Sequence, residues 1–207
     1  KLTTAVKDAT AVREVLVTRY GFRPEHVVLL LDEQATRLGI ERALDRLGRE
    51  AGPEDSVFIY FAGHGKADRD QERGWWVPHD AQANENATFV KNASVRDEVR
   101  AMRAKQVYLV ADSCFAGTLF AARSGPMPPP DDKFYASLYQ SKSRWGLTSG
   151  GTEPVADRGK DGHCVFAYFG SSGFSVGLPV AMQVGQSLSV IPVPPLVIPA
   201  QAGIQSL

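Results

Sequence analysis

The stretch "VYLVADSCFAG", residues 107–117, decides how this chain is read. Its first five residues are the continuous apolar run of a strand buried on both faces. The run stops at an acid, a hydroxyl and a thiol (Asp112, Ser113, Cys114), and Phe115, Ala116 and Gly117 follow. A lone cysteine ending an apolar strand is ordinarily a core thiol. Cys114 asks for a second reading only if a chemically matched residue ends a neighbouring strand.

Such a residue lies 50 positions upstream, where "GPEDSVFIYFAGHG" (52–65) reads as turn, strand and glycine-rich exit with His64 between Gly63 and Gly65. The intervening and flanking segments supply the rest of the architecture. Ala5, Ala9, Val12 and Leu16 recur at helical spacing and Gly21 is a natural stop. "HVVLLLD" (26–32) is another apolar run ended by an acid, expected to be buried on both faces. Thr36 is placed to cap a helix carrying Ile40, Ala43, Leu44 and Leu47 on one side. "SVRDEVRAM" opens with Ser94 and has Asp97 three residues on, a capping-box start, with Val95, Val99 and Met102 on one face. After a Pro-rich break at 124–132, a weaker strand is expected around "RWGLTSG", and "HCVFAYF" follows.

Helices alternating with continuous apolar strands predict an α/β fold, a three-layer sandwich with a mostly parallel sheet and helices on both faces. Such sheets carry their chemistry on the loops at the strands' carboxyl ends. Here those ends hold Asp32, Gly63-His64-Gly65 and Asp112-Ser113-Cys114.

Composition sets bounds. The 207 residues and 22.5 kDa suffice for one domain with a sizeable core. Lys and Arg number 23 and so do Asp and Glu, which predicts no nucleic-acid surface. No apolar run reaches the roughly 18 residues of a membrane span, so no membrane partner is expected. Two cysteines, Cys114 and Cys164, make neither a disulfide framework nor a metal knuckle. Cys164, in an apolar stretch, reads as a buried thiol, and His26, His79 and His163 read as structural or surface residues.

The chemistry follows from residue types. A thiol is a useful nucleophile as thiolate, and an adjacent imidazole both withdraws its proton and returns one to the leaving amine. Cys114 and His64 are therefore the candidate catalytic pair. The N–H groups of Gly65 and Cys114 are the candidate oxyanion donors, a contribution of about 3–4 kcal/mol per donor in enzymes that use one.

"YFAGHG" and "DSCFAG" resemble the two catalytic blocks of caspase-like cysteine peptidases, the group that contains metacaspases and bacterial caspase homologues. Their separation is similar to that of caspases, where the His lies about 50 residues before the Cys. The resemblance runs from about residue 3 to 169 and takes in "GWWVPHDA" (74–81) and "LTSGGTEPVAD" (147–157). It implies a caspase-like sheet, Cys114 as nucleophile and His64 as general base and acid, with no metal or cofactor in the chemistry. True caspases carry "QAC" and cut after Asp. The "DSC" here resembles metacaspases, which implies Asp112 as the pocket acid for Arg or Lys before the cut. Asp80 is a weaker candidate for the same cleft. Arg123 and Lys133, between the nucleophile and the next strand, fall where the family keeps its linker and are self-processing candidates.

The resemblance also sets expectations about what differs. Some metacaspases need calcium held by clustered acids; no such cluster is recognisable, and "DRDQE" (68–72) reads as a solvated loop. The family's first strand precedes its first helix, so here that strand is expected to be missing from an N-terminally truncated peptidase domain at 1–169. Residues 170–207, uncharged and rich in Gly, Pro, Ser and Val, are expected to form an irregular tail. The expected function is an endopeptidase acting on polypeptides, with a non-catalytic caspase-like interaction module as the alternative. Cytoplasm is the default compartment, with a lost signal peptide left open, and nothing bears on oligomeric state.

Overall fold

The computed structural model describes residues 4–68, 70–114, 119, 142–149 and 163, and the backbone of 196–200. In chain order the elements are α1 (Ala5–Tyr20), β1 (Val27–Leu31), α2 (Arg37–Glu50), β2 (Ser56–Ala62), β3 (Gly65–Asp68), β4 (Arg73–Trp76), β5 (Val90–Lys91), α3 (Asn92–Ala101), β6 (Gln106–Asp112), β7 (Ser143–Thr148) and β8 (Leu196–Ala200). The main sheet is parallel, in the order β1-β8-β2-β6-β7; β3, β4 and β5 form a separate antiparallel sheet.

Period-two alternation along β2 builds both cores. Val57, Ile59 and Phe61 enter one cluster with Ile40, Leu44 and Leu47 of α2 and Val95 and Val99 of α3. Phe58, Tyr60 and Ala62 enter the other, with Ala5, Ala9, Val12 and Leu16 of α1. Strand β6 repeats the division, with Val107, Leu109 and Ala111 toward α2 and α3 and Val110 toward α1. Helices thus cover both faces, and the three-layer α/β sandwich is the observed fold.

Local signals act as their chemistry dictates. Gly21 takes φ +71°, the left-handed conformation that closes α1, and its N–H donates to Leu16 O. Thr36 Oγ1 accepts from Gly39 N at 3.0 Å and starts α2. At the other end of the sandwich, Arg144 of β7 ties the sheet to the end of α3. Its guanidinium donates to Val99 O (2.8 Å), Met102 O (2.7 Å) and Ser143 O (2.8 Å). Burial pushes this guanidinium down from its ordinary value, since the charge gives up water for those carbonyls.

Four features differ from the sequence expectation. Strand β1 is half-buried along its whole length rather than buried on both faces, because it lies at the sheet's edge. Helix α3 begins at Asn92, two residues before Ser94, since β5 pairs with β4 through Lys91 and hands the chain straight into the helix. The antiparallel sheet β3-β4-β5 has strands of two to four residues, too short for a legible period. The fourth difference is in the C-terminal stretch expected to be irregular: 196–200 forms β8 between β1 and β2, the interior place left beside them. Leu-Val-Ile is strand-forming, but the surrounding prolines conceal it. Pro199 has no N–H, and β8 accordingly pairs with β2 only at Ile59↔Val197 and Ala62↔Ala200. Residues 170–195 and 201–207, Cys164, and the candidate cleavage residues Arg123 and Lys133 lie outside the described residues.

Candidate functional site

Strands β2 and β6 run parallel in unbroken register from Ser56↔Gln106 to Ala62↔Asp112. Their last paired residues are therefore level at the carboxyl edge of the sheet. Gly63 N donates to Asp112 O at 3.2 Å, carrying the ladder one step further. His64 and Cys114 each lie two residues beyond that final pair, on adjacent chains leaving the same edge. Both are half-buried, and Cys114 carries a reduced thiol.

The glycines on either side of His64 are fixed by packing. A β-carbon on Gly63 would lie 2.7 Å from the ring of Phe61, which is itself stacked on Trp76 with centroids 4.3 Å apart and 5° between planes. A β-carbon on Gly65 would lie 1.9 Å from Cys114 O and 3.3 Å from Ser113 Oγ. Trp76 also pairs with Gly65 across β3 and β4, and His64 O accepts from Val77 N at 2.9 Å. The histidine loop is thus held against the cysteine backbone by contacts only a glycine permits, with the antiparallel sheet bracing it from outside.

Asp112 is buried at 8% exposure, and its carboxylate Oδ2 accepts from the Tyr60 hydroxyl at 3.3 Å. Asp80 has a different setting. It is exposed, and its Oδ1 accepts from Arg37 N at 2.8 Å, at the first turn of α2. Arg37 in turn pairs with Glu41 and donates to Ala87 O, so Asp80 and Arg37 tie the 79–88 segment onto α2. Among the described residues no group of three or more His, Cys, Asp or Glu side chains is arranged to hold a metal ion. "DRDQE" is the β3–β4 connection, where Asp68 Oδ1 accepts from the N–H groups of Asp70 and Gln71.

One buried acid escaped the sequence reading. Asp8 of α1 is 1% exposed and lies 2.6 Å from His163 Nδ1. Its signal was present: Asp8 falls next to Ala9 and one turn from Ala5 and Val12, on the helix's core side, where an unpaired charge is costly. His163, read from sequence as structural or surface, is its partner.

A parallel α/β sandwich with an imidazole and a thiol leaving neighbouring strand ends is the frame of a caspase-like protein. The comparisons agree. The family described as "Metacaspase, peptidase C14 domain" matches residues 1–122, more than half of the chain. Metacaspase-1B of Aspergillus fumigatus is 32% identical over 125 residues, covering 55% of this chain and 31% of that protein. Metacaspase-1B of Aspergillus clavatus is 38% identical over 80 residues, 34% of this chain and 20% of that protein. Metacaspase-1 of Cryptococcus neoformans is 30% identical over 128 residues, covering 55% and 27%. The matched stretch spans less than a third of each of these relatives. The chain belongs to the metacaspase, peptidase C14 domain family of caspase-like cysteine peptidases.

Proposed function

We propose that the chain is a cysteine endopeptidase that cuts polypeptides after Arg or Lys, with Cys114 as nucleophile and His64 as general base and acid. The observation that carries this reading is the Ala62↔Asp112 register, which brings the His64 and Cys114 loops off one edge of the sheet. His64 takes the thiol proton, and the sulfur attacks the scissile carbonyl. The C–N bond breaks as His64 returns the proton to the leaving amine, leaving a thioester on Cys114. Water then attacks the thioester, His64 accepts its proton, and the thiol is regenerated as the acid product departs. Thiol, imidazole and water balance every atom and proton.

The oxyanion formed at each attack is assigned to the N–H groups of Gly65 and Cys114. The close seating of Gly65 on Cys114 supports that assignment. Asp112 is assigned to the basic side chain before the cut, because a buried carboxylate two residues from the nucleophile favours a cationic group over a neutral one.

The test is hydrolysis of matched fluorogenic peptides ending in Arg, Lys or Asp by the full chain and by Cys114→Ala. Turnover after Arg and Lys that Cys114→Ala abolishes is the expected result. Cleavage after Asp would overturn the assignment of Asp112, and a folded chain without turnover would overturn the peptidase reading.

A further inference from the structure

The reading above uses Asp112 but not its partner Tyr60, which occupies an unusual position for a hydroxyl. Its side chain is fully buried at 0% exposure, in the cluster formed with α1. Phe58, two residues earlier on the same face of β2, fills the same cluster with a plain phenyl ring. Packing therefore needs only the ring at position 60. The extra oxygen costs desolvation unless it makes a hydrogen bond, and Asp112 Oδ2 at 3.3 Å supplies one.

The register explains why these two side chains meet. Tyr60 pairs with Val110 and Ala62 with Asp112, so Tyr60 and Asp112 stand on the same face, one alternation apart. Ala62, directly opposite Asp112, is too small to intervene. The tyrosine lies in the interior of a central strand, with its ring locked on all sides, so its hydroxyl is a fixed point. Asp112 is the last residue of β6, where the chain turns out toward Cys114.

We infer that Tyr60 is a positioning residue for substrate selection: its buried hydroxyl sets the orientation in which the Asp112 carboxylate meets a basic side chain of the substrate. The inference rests on the assignment of Asp112 made above. An ionised carboxylate has about four acceptor sites; the phenol uses one and limits rotation of the group. Without that donor the carboxylate gains freedom, and a planar guanidinium loses the fixed two-oxygen face that suits it. The loss falls on recognition of charge and leaves recognition of shape intact.

The experiment compares peptides ending in Arg with the same peptides ending in citrulline, which has nearly the same shape and no charge. The ratio of their kcat/KM values is measured for the full chain, Tyr60→Phe, Asp112→Asn and the double variant, with thermal melts of all four. Tyr60→Phe keeps the buried ring, so the fold is expected to persist. The expected result is a fall of about tenfold in the Arg/citrulline ratio for Tyr60→Phe, the scale of one hydrogen bond to a charged group. Citrulline turnover should be unchanged, and Tyr60→Phe should have no further effect in the Asp112→Asn background. A Tyr60→Phe chain that is destabilised and slowed equally on both peptides would overturn the inference in favour of a structural role, as would a Tyr60→Phe chain too unstable to assay. If Asp112→Asn collapses the ratio and Tyr60→Phe leaves it alone, Tyr60 fails by itself. If Asp112→Asn leaves the ratio alone, or the wild-type chain turns over neither peptide, the underlying reading fails and takes the inference with it.

Discussion

Gly65 is seated on the backbone of Cys114 so closely that a β-carbon at position 65 would come within 1.9 Å of the Cys114 carbonyl oxygen. The obstructing atom is backbone on a sheet-anchored chain, so it cannot swing aside as a side chain would. The loops that carry His64 and Cys114 are therefore registered by direct contact as well as by their strands.

Gly65→Ala is expected to destabilise the chain by about 3 kcal/mol, the upper range for overpacking, and to separate His64 from Cys114. Denaturant melts and the rate of Cys114 alkylation by iodoacetamide read the two effects. Gly48→Ala is the control: nothing lies within 4 Å of its β-carbon, and it falls inside α2. There alanine should add about 0.5–1 kcal/mol of stability. Equal behaviour of the two variants would refute the contact.

Asp80 separates two roles by substitution. As an acceptor for the Arg37 N–H at the start of α2, it should tolerate Asn, whose carbonyl oxygen accepts the same bond. Asp80→Ala should cost about 1 kcal/mol of stability, typical of a lost helix cap. A large fall in Arg over citrulline preference in Asp80→Asn, with stability unchanged, would return Asp80 to the substrate cleft.

Arg144→Ala removes the guanidinium from three carbonyls at 2.7–2.8 Å, two of them at the end of α3. A loss of about 2 kcal/mol is expected, as for charge-assisted bonds at a half-buried site. Arg144→Lys should recover less than half of it, because a single ammonium cannot reach Val99 O and Met102 O with the same fork. Full recovery by Lys would mean that charge near the helix terminus, rather than geometry, holds β7 to α3.

Burial pushes the Tyr108 phenol up from its ordinary value of 10.0. The folded chain then keeps this proton at a pH where the unfolded chain releases it. The contribution is complete below pH 10 and is lost as the pH rises through the folded-state value. Urea midpoints between pH 9 and 11 should decline less steeply in Tyr108→Phe than in the wild-type chain. An identical decline would show that Tyr108 has no part in the alkaline loss.

Much of the candidate site is legible in the order of residues alone. The runs at 26–32, 52–65 and 107–117 carry enough consecutive apolar residues to declare strands, the last two buried on both faces, and a parallel sheet sends their chemistry to one edge. Thr36 and Gly21 announce helix ends because their effects are confined to one turn. Legibility fails where the stabilising partner is distant in sequence. The two residues of β5 are a strand only because Trp75 and Trp76 lie beside them. The sequence pattern puts Asp8 on the core side of α1, but its partner His163 lies 155 residues away and no local signal names it.

The sequence by itself determined the long helices, the apolar strands, the layers and the chemical identity of the pair, because hydrophobic period, caps and residue type are local properties. Tertiary structure decided the rest. It seated Gly65 on Cys114, turned Tyr60 onto Asp112, sent Asp80 to α2 and placed β8 inside the sheet. Each of these depends on register and packing between segments whose spacing along the chain carries no trace of their distance in space.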